Sequence, residues 1–342
     1  MTRNPPRHPS PLAAAYDHLR RLHVFWKFAL ALLLLAVVLQ VANKSPTDFV
    51  YFRVGGIADD TVPYREDPEL FWKPLDDFRA QDNLAARTPA AQRIFFFGGS
   101  VAYGFAAERS YPALLGDRLA ADPRTAARRV INYAYPGYTS HQAARLARRV
   151  LAKFPGRLLC VAVGTNDYRP VNFSDRQVEE INRGAAKRAL AVLNRVRIFA
   201  LYRHALLRLG KRPTGVEEQW RGGAPRVSLA EFRDNLRRFV ELARAGRIPL
   251  ALISEESEAA SLRAKLDPYW RIMADLAAQN ANVTYLDVRA YLRRFAVAGP
   301  DGPTYPRAPA QAIFVDFCHL TARGNQLVAE FLAEQLQARG LL

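Results

Sequence analysis

The sequence predicts an α/β protein, a parallel sheet wrapped by helices and preceded by one N-terminal transmembrane helix. Two patterns point to the sheet. From about residue 93, short β-rich runs alternate with longer amphipathic ones, the rhythm of strands joined by crossover helices. The short runs, such as LLCVAV at 158–163, are apolar at every position, which suits strands covered on both faces. A third observation, an unbroken apolar stretch from Phe28 to Leu39, predicts the membrane helix.

Taken in chain order, residues 1–23 form a basic tail. Arg3, Arg7, Arg20, Arg21 and Lys27 precede or open the apolar stretch against one acid, Asp17. Residues 24–42, VFWKFALALLLLAVVLQVA, span roughly 28 Å as a helix, about one hydrocarbon core. The positive-inside rule places the tail in the cytoplasm and everything after residue 43 outside it. No small-x-small cleavage site follows, so the stretch reads as a retained signal anchor in the inner (cytoplasmic) membrane, with a periplasmic domain beyond. Residues 43–92 read as a stalk or cap, with Pro46, Pro63, Pro68 and Pro74 among the aromatics Phe52, Tyr64, Phe71 and Trp72. The domain proper occupies 93–342. Its strand candidates are Arg93–Phe97, Val130–Tyr133, Leu158–Val163, Pro249–Ser254 and Val283–Asp287. Its helix candidates are Tyr111–Ala121, Ser140–Phe154, Ala185–Leu209, Leu229–Ala245, Ala259–Gln279 and Ala322–Ala338.

The formal net charge is +17, and 42 of the 49 basic residues are arginine. Such a surface attracts phosphate, acidic glycan or anionic lipid. Nucleic acid is not expected, because no zinc-finger spacing, RNA-binding aromatic motif or basic zipper is present. The two cysteines, Cys160 and Cys318, show no metal-ligand spacing. They read as two small buried residues, with a bridge between them left open.

Active sites in parallel sheets lie at the carboxyl ends of the strands, so chemistry is sought there. The first strand runs into GGSVAYG, which holds Ser100 in a glycine-flanked turn. The second runs into NYAYPGYTSHQ, with Gly137 in the loop before a helix. The third runs into GTND, whose Asn166 offers a side-chain amide. Near the C-terminus VDFCHLTARGN sets Asp316 three residues before His319, a spacing that lets the carboxylate reach the imidazole. Beyond residue 43 the histidines are His141, His204 and His319, and His319 alone has an acid at this spacing in a strand-to-helix loop. Each feature alone suits an ordinary turn or cap. Jointly they supply the nucleophile, base, orienting acid and oxyanion donors that acyl transfer needs.

On these blocks the chain, from roughly residue 93 to 340, resembles the SGNH/GDSL hydrolase superfamily. FGGSVAYG matches the block of the nucleophile, Ser100, with Gly-Gly-Ser-Val in place of Gly-Asp-Ser-Leu. NYAYPG matches the block that places a backbone oxyanion donor at Gly137. GTND matches the one that places the side-chain donor at Asn166, and DFCH the one with the acid Asp316 and the base His319. The resemblance implies a three-layer α/β/α sandwich with a flavodoxin-like parallel sheet. It also implies catalysis without a metal or organic cofactor, with Ser100, Gly137 and Asn166 forming the oxyanion hole.

The expected activity is therefore that of a serine esterase or deacylase. Its substrate class would be O-acyl groups of cell-envelope glycan, or a lipid. An O-acyltransferase with a membrane acyl-donor partner uses the same residues, and a non-catalytic glycan-binding or envelope-assembly protein could keep the same fold. Residues 176–226 hold 12 basic and 4 acidic residues. They read either as a lid or membrane-surface helix or, the preferred reading, as an amphipathic helix packed on the sheet with a solvated basic face.

Overall fold

The computed structural model describes residues 23–34, 64–67, 69–171, 174–183, 224–299 and 303–342. Residues 23–34 form helix α1 and belong to one unit of the chain. The described residues within 50–183 and 214–342 form the other. Helix α1 exposes large apolar side chains along its length, among them Phe25, Trp26, Phe28 and Leu33. No helix of the described residues is long and apolar enough to cross a membrane, and the rest of the expected span, 35–42, lies outside them.

The second unit opens with an antiparallel hairpin of β1 (Tyr64–Asp67) and β2 (Phe71–Pro74), followed by α2 (Arg79–Arg87). The main sheet has five strands: β3 (Arg93–Gly98), β4 (Arg129–Asn132), β5 (Leu158–Ala162), β8 (Leu250–Ile253) and β9 (Val283–Leu286). A short antiparallel pair, β6 (Pro170–Val171) and β7 (Ala224–Pro225), stands apart from it. All neighbours in the main sheet are parallel, in the order β4-β3-β5-β8-β9. Taken in chain order this is the doubly wound, flavodoxin-like arrangement. Every strand expected from the sequence is found, its ends shifted by no more than a residue.

The strand residues explain the layers. Side chains alternate across a strand, so Phe95 and Phe97 of β3 point to one face and Ile94 and Phe96 to the other, and all four are fully buried. The first face packs against α5 (Ser140–Lys153), α7 (Leu229–Gly246) and α8 (Ala260–Gln279). The second packs against α4 (Tyr111–Ala121), α9 (Val288–Arg293) and α10 (Ala322–Ala338). Two apolar faces per strand thus require two helical layers, and three layers result.

The helices start where capping chemistry allows. Ser228 Oγ accepts from the Glu231 N–H while Glu231 Oε2 accepts from the Ser228 N–H, so two orphan donors of α7 are satisfied reciprocally. Thr321 Oγ1 accepts from the Gly324 N–H at the head of α10. Cys160 lies within β5 and Cys318 in the C-terminal turn; both are buried and unbridged. The expected helix Ala185–Leu209 lies outside the described residues, and so does the lid-or-packing question for most of 176–226. The described flanks of that segment are α6 (Asp175–Arg183) and β7.

Candidate active site

Ser100 stands where the apolar strand β3 ends and a single helical turn, α3 (Ser100–Tyr103), begins. Strand β3 lies between β4 and β5, so this edge of the sheet is the point where the strand order reverses, the place such sheets offer for a ligand. The C-terminal turn meets it there, although Ser100 and His319 lie 219 residues apart in sequence. His319 Nε2 is 2.8 Å from Ser100 Oγ, and His319 Nδ1 is 2.6 Å from Asp316 Oδ2. Ser100 and His319 are 4% and 3% exposed, so the serine–imidazole contact is shielded from bulk water, while the Asp316 side chain at its far end is 40% exposed.

The turn at 316–319 is self-bracing. Asp316 Oδ1 accepts from the N–H groups of Cys318 and His319, at 2.9 and 2.8 Å. Burial pushes the Asp316 carboxyl up, but the bond from His319, the imidazole charge and these two N–H groups outweigh it and hold it below the usual carboxylate range. Phe317 O accepts from Ser257 Oγ (2.6 Å) and from the Glu258 N–H (2.9 Å), which ties the turn to the loop after β8. The Phe105 ring lies 4.7 Å from the His319 imidazole. Asp316, Cys318 and His319 also place potential metal-ligand atoms within 4.8 Å of one another. The chemistry of the set favours the acid–base pair. Asp316 and His319 are hydrogen-bonded to each other, and burial, with Asp316 and Glu255 nearby, raises the Cys318 thiol well above its ordinary range.

Asn166 follows β5 and reaches the same edge. A Cβ on Gly99 would lie 2.7 Å from Asn166 Nδ2, so glycine before the serine is what lets the amide approach the nucleophile turn. That amide donates to Tyr138 O at 3.0 Å, joining it to the loop that holds Gly137. Gly137 has φ +75, a left-handed conformation natural to glycine. Ser100, Gly137, Asn166, Asp316 and His319 are thus gathered from four separate loops at one end of the sheet.

Several polar residues at this edge went unnoticed in the sequence. Asp167 is fully buried and accepts from the N–H groups of Ser140 and Gly164; burial pushes its carboxyl up to about 7 despite the bonds from Ser140. Glu255 is buried after β8 and accepts from Thr165 Oγ1 at 2.8 Å; burial pushes its carboxyl up to about 8. Arg226 and Asp175 form a buried ion pair at 2.9 Å. Asp167 was legible in principle, since it sits inside the GTND block. An arginine in so arginine-rich a chain carries no such signal.

The chain matches the model of the GDSL-like lipase/acylhydrolase family over residues 96–327. A search of curated proteins finds no match. Among solved structures it is similar to a GDSL-like lipase from Bacteroides thetaiotaomicron, at 14% identity over 77% of this chain and 98% of that one, TM-score 0.43. It is also similar to TesA, at 17% identity over 73% of this chain and 100% of that one, TM-score 0.45. A third is a catalytic mutant of an acetylxylan esterase from Geobacillus stearothermophilus, at 18% identity over 73% and 96%, TM-score 0.45.

Proposed function

Because the chain belongs to the GDSL-like lipase/acylhydrolase family, we propose that it is a serine esterase or deacylase with Ser100 as nucleophile, His319 as general base and Asp316 as its orienting acid. The observation that carries this reading is the chain of contacts Ser100 Oγ–His319 Nε2 and His319 Nδ1–Asp316, at 2.8 and 2.6 Å. As Ser100 Oγ bonds to the ester carbonyl carbon, its proton passes to His319 Nε2. Asp316, on Nδ1, stabilises the imidazolium that forms. The carbonyl oxygen becomes an oxyanion, held by the N–H groups of Ser100 and Gly137 and by the Asn166 amide. Collapse expels the alkoxide, which takes the proton from His319, and leaves an acyl-Ser100. Water, deprotonated by His319, then releases the acid and restores the serine.

For substrate we propose O-acyl groups of cell-envelope glycan, or a lipid ester. The basic composition, at +17, suits an acidic glycan or an anionic lipid surface. We further propose that the chain is a single-pass protein of the inner membrane, with a cytoplasmic N-terminus and a periplasmic domain. Its support is the apolar sequence 24–42 behind a basic tail and the exposed apolar side chains of α1.

The test is fluorophosphonate labelling of the full chain in detergent, with Ser100→Ala and His319→Ala alongside. Labelling and aryl-ester cleavage that vanish in both variants are expected. A folded wild-type chain that neither labels nor cleaves would refute the esterase reading. Acyl transfer to an added sugar in preference to water would move the assignment to an O-acyltransferase. Separately, extraction by alkali instead of detergent would refute the membrane anchor.

A further inference from the structure

The oxyanion donor at Gly137 is only as good as the direction of its N–H, and that direction is set by residues remote in sequence. A trans peptide is planar, so the Pro136 carbonyl and the Gly137 N–H lie in one plane and point opposite ways; no peptide bond among the described residues is cis. The indole Nε1 of Trp72, on β2, donates to Pro136 O at 3.1 Å. Fixing that oxygen from behind aims the Gly137 N–H to the other side.

The next peptide is held as firmly. Gly137 O accepts from Arg226 Nη1 at 2.7 Å. The same buried guanidinium donates to both oxygens of Asp175, at 2.9 and 3.1 Å, and to Gln142 Oε1 at 3.1 Å. It also lies over the Trp72 ring, 5.4 Å from the centroid. Tyr138 OH donates to Trp72 O at 2.7 Å, and Thr139 Oγ1 donates to Asp175 at 2.6 Å. One indole and one guanidinium, stacked on each other, thus grip the two consecutive peptides that flank Gly137.

We propose that Trp72 and Arg226 are the positioning residues of the oxyanion loop, and that the hairpin of β1 and β2 is therefore part of the machinery of the site. The proposal rests on the esterase reading for its effect on rate. Its mechanical content, that these two side chains hold Pro136–Thr139 in place, does not.

Trp72→Phe is the informative change, because it keeps a ring beneath Arg226 and removes only the indole donor. Arg226→Lys keeps the charge opposite Asp175 and loses the fork that reaches four acceptor atoms at once. Both are compared with Arg289→Met, which breaks ion pairs with Asp267 and Asp287 beside the edge strand β9 and touches neither the hairpin nor the oxyanion loop. Two quantities are read on the full chain in detergent: kcat and KM on a short aryl ester, and hydrogen–deuterium exchange of the peptide spanning 135–140. Trp72→Phe and Arg226→Lys are expected to lower kcat about tenfold or more, with KM within twofold, and to speed exchange in the loop. Arg289→Met should lower Tm and leave kcat, KM and loop exchange near wild type. Wild-type exchange and kcat in both variants would overturn the proposal, as would a rise in KM alone or a loss of kcat no greater than that in Arg289→Met. Faster loop exchange in a protein whose wild type cleaves no ester would uphold the loop assignment and sink the esterase reading.

Discussion

On the proposed mechanism, Asn166→Ala removes one oxyanion donor and should cost about 3 kcal/mol of transition-state stabilisation, so that turnover slows roughly a hundredfold to a thousandfold while KM changes little. Steady-state kinetics on an aryl ester would show it, and a KM effect alone would assign Asn166 to substrate binding. Glu255 gives a prediction on stability. Its carboxyl is raised to about 8 in the fold against about 4.3 in an unfolded chain. Between those values the native state holds the proton and the unfolded state does not. The stability this group contributes is therefore complete below about pH 4.3 and is lost as pH rises towards 8. Tm should fall from mildly acidic to mildly alkaline buffer, and Glu255→Gln, which keeps an acceptor for Thr165, should flatten that fall. A variant whose Tm tracks wild type across this window would mean that Glu255 is ionised in the folded protein. At this scale the Ser100–His319–Asp316 contacts were legible because serine, histidine and aspartate sit in short, patterned blocks. Trp72, Arg226 and Glu255 were not, because their partners lie far off in sequence and nothing local marks them.

Among the elements, strands and long helices were easy to read and short ones were not. β3 and β5 are buried at every position because each is covered twice, and α7 and α10 carry caps that fix their first residue. α9, of 6 residues, is too short to establish a helical period. In α2 the interior-facing signal is thin, with Ala85 its one buried residue. The β6–β7 pair is bracketed by non-local hydrogen bonds such as Arg226 N–H to Arg169 O, which no periodicity anticipates. Asp167 couples two elements. It takes the N–H of Ser140 at the head of α5 and the N–H of Gly164 in the turn after β5. Asp167→Ala leaves buried donors unsatisfied at both, a cost of about 3 kcal/mol, or a fall in Tm on the order of 10 °C. Because those elements also carry Gly137 and Asn166, kcat should fall with it. Thermal melts and kinetics on one preparation check both, and an unchanged Tm would show that the two turns hold themselves.

In the unit that holds the sheet, one topological fact has the widest reach. The sheet order reverses beside β3, so loops from distant parts of the chain converge on one edge, and a reading of strand ends alone singled out Ser100, Gly137, Asn166, Asp316 and His319, which meet there. β6 and β7 pair across the segment 184–223, and the Asp175 N–H donates to Arg226 O at 2.8 Å. The start of α6 is thereby fastened to β7 without that segment's help, and α6 alone separates the closed junction from residue 184. Closing a loop becomes only slowly costlier with length, about 0.6 kcal/mol per doubling. The junction is thus an interchangeable socket: exchanging 184–223 for a short glycine–serine tether should leave small-ester turnover within a fewfold of wild type. Whatever such a swap removed, in substrate range or surface attachment, would then be the contribution of the basic segment itself.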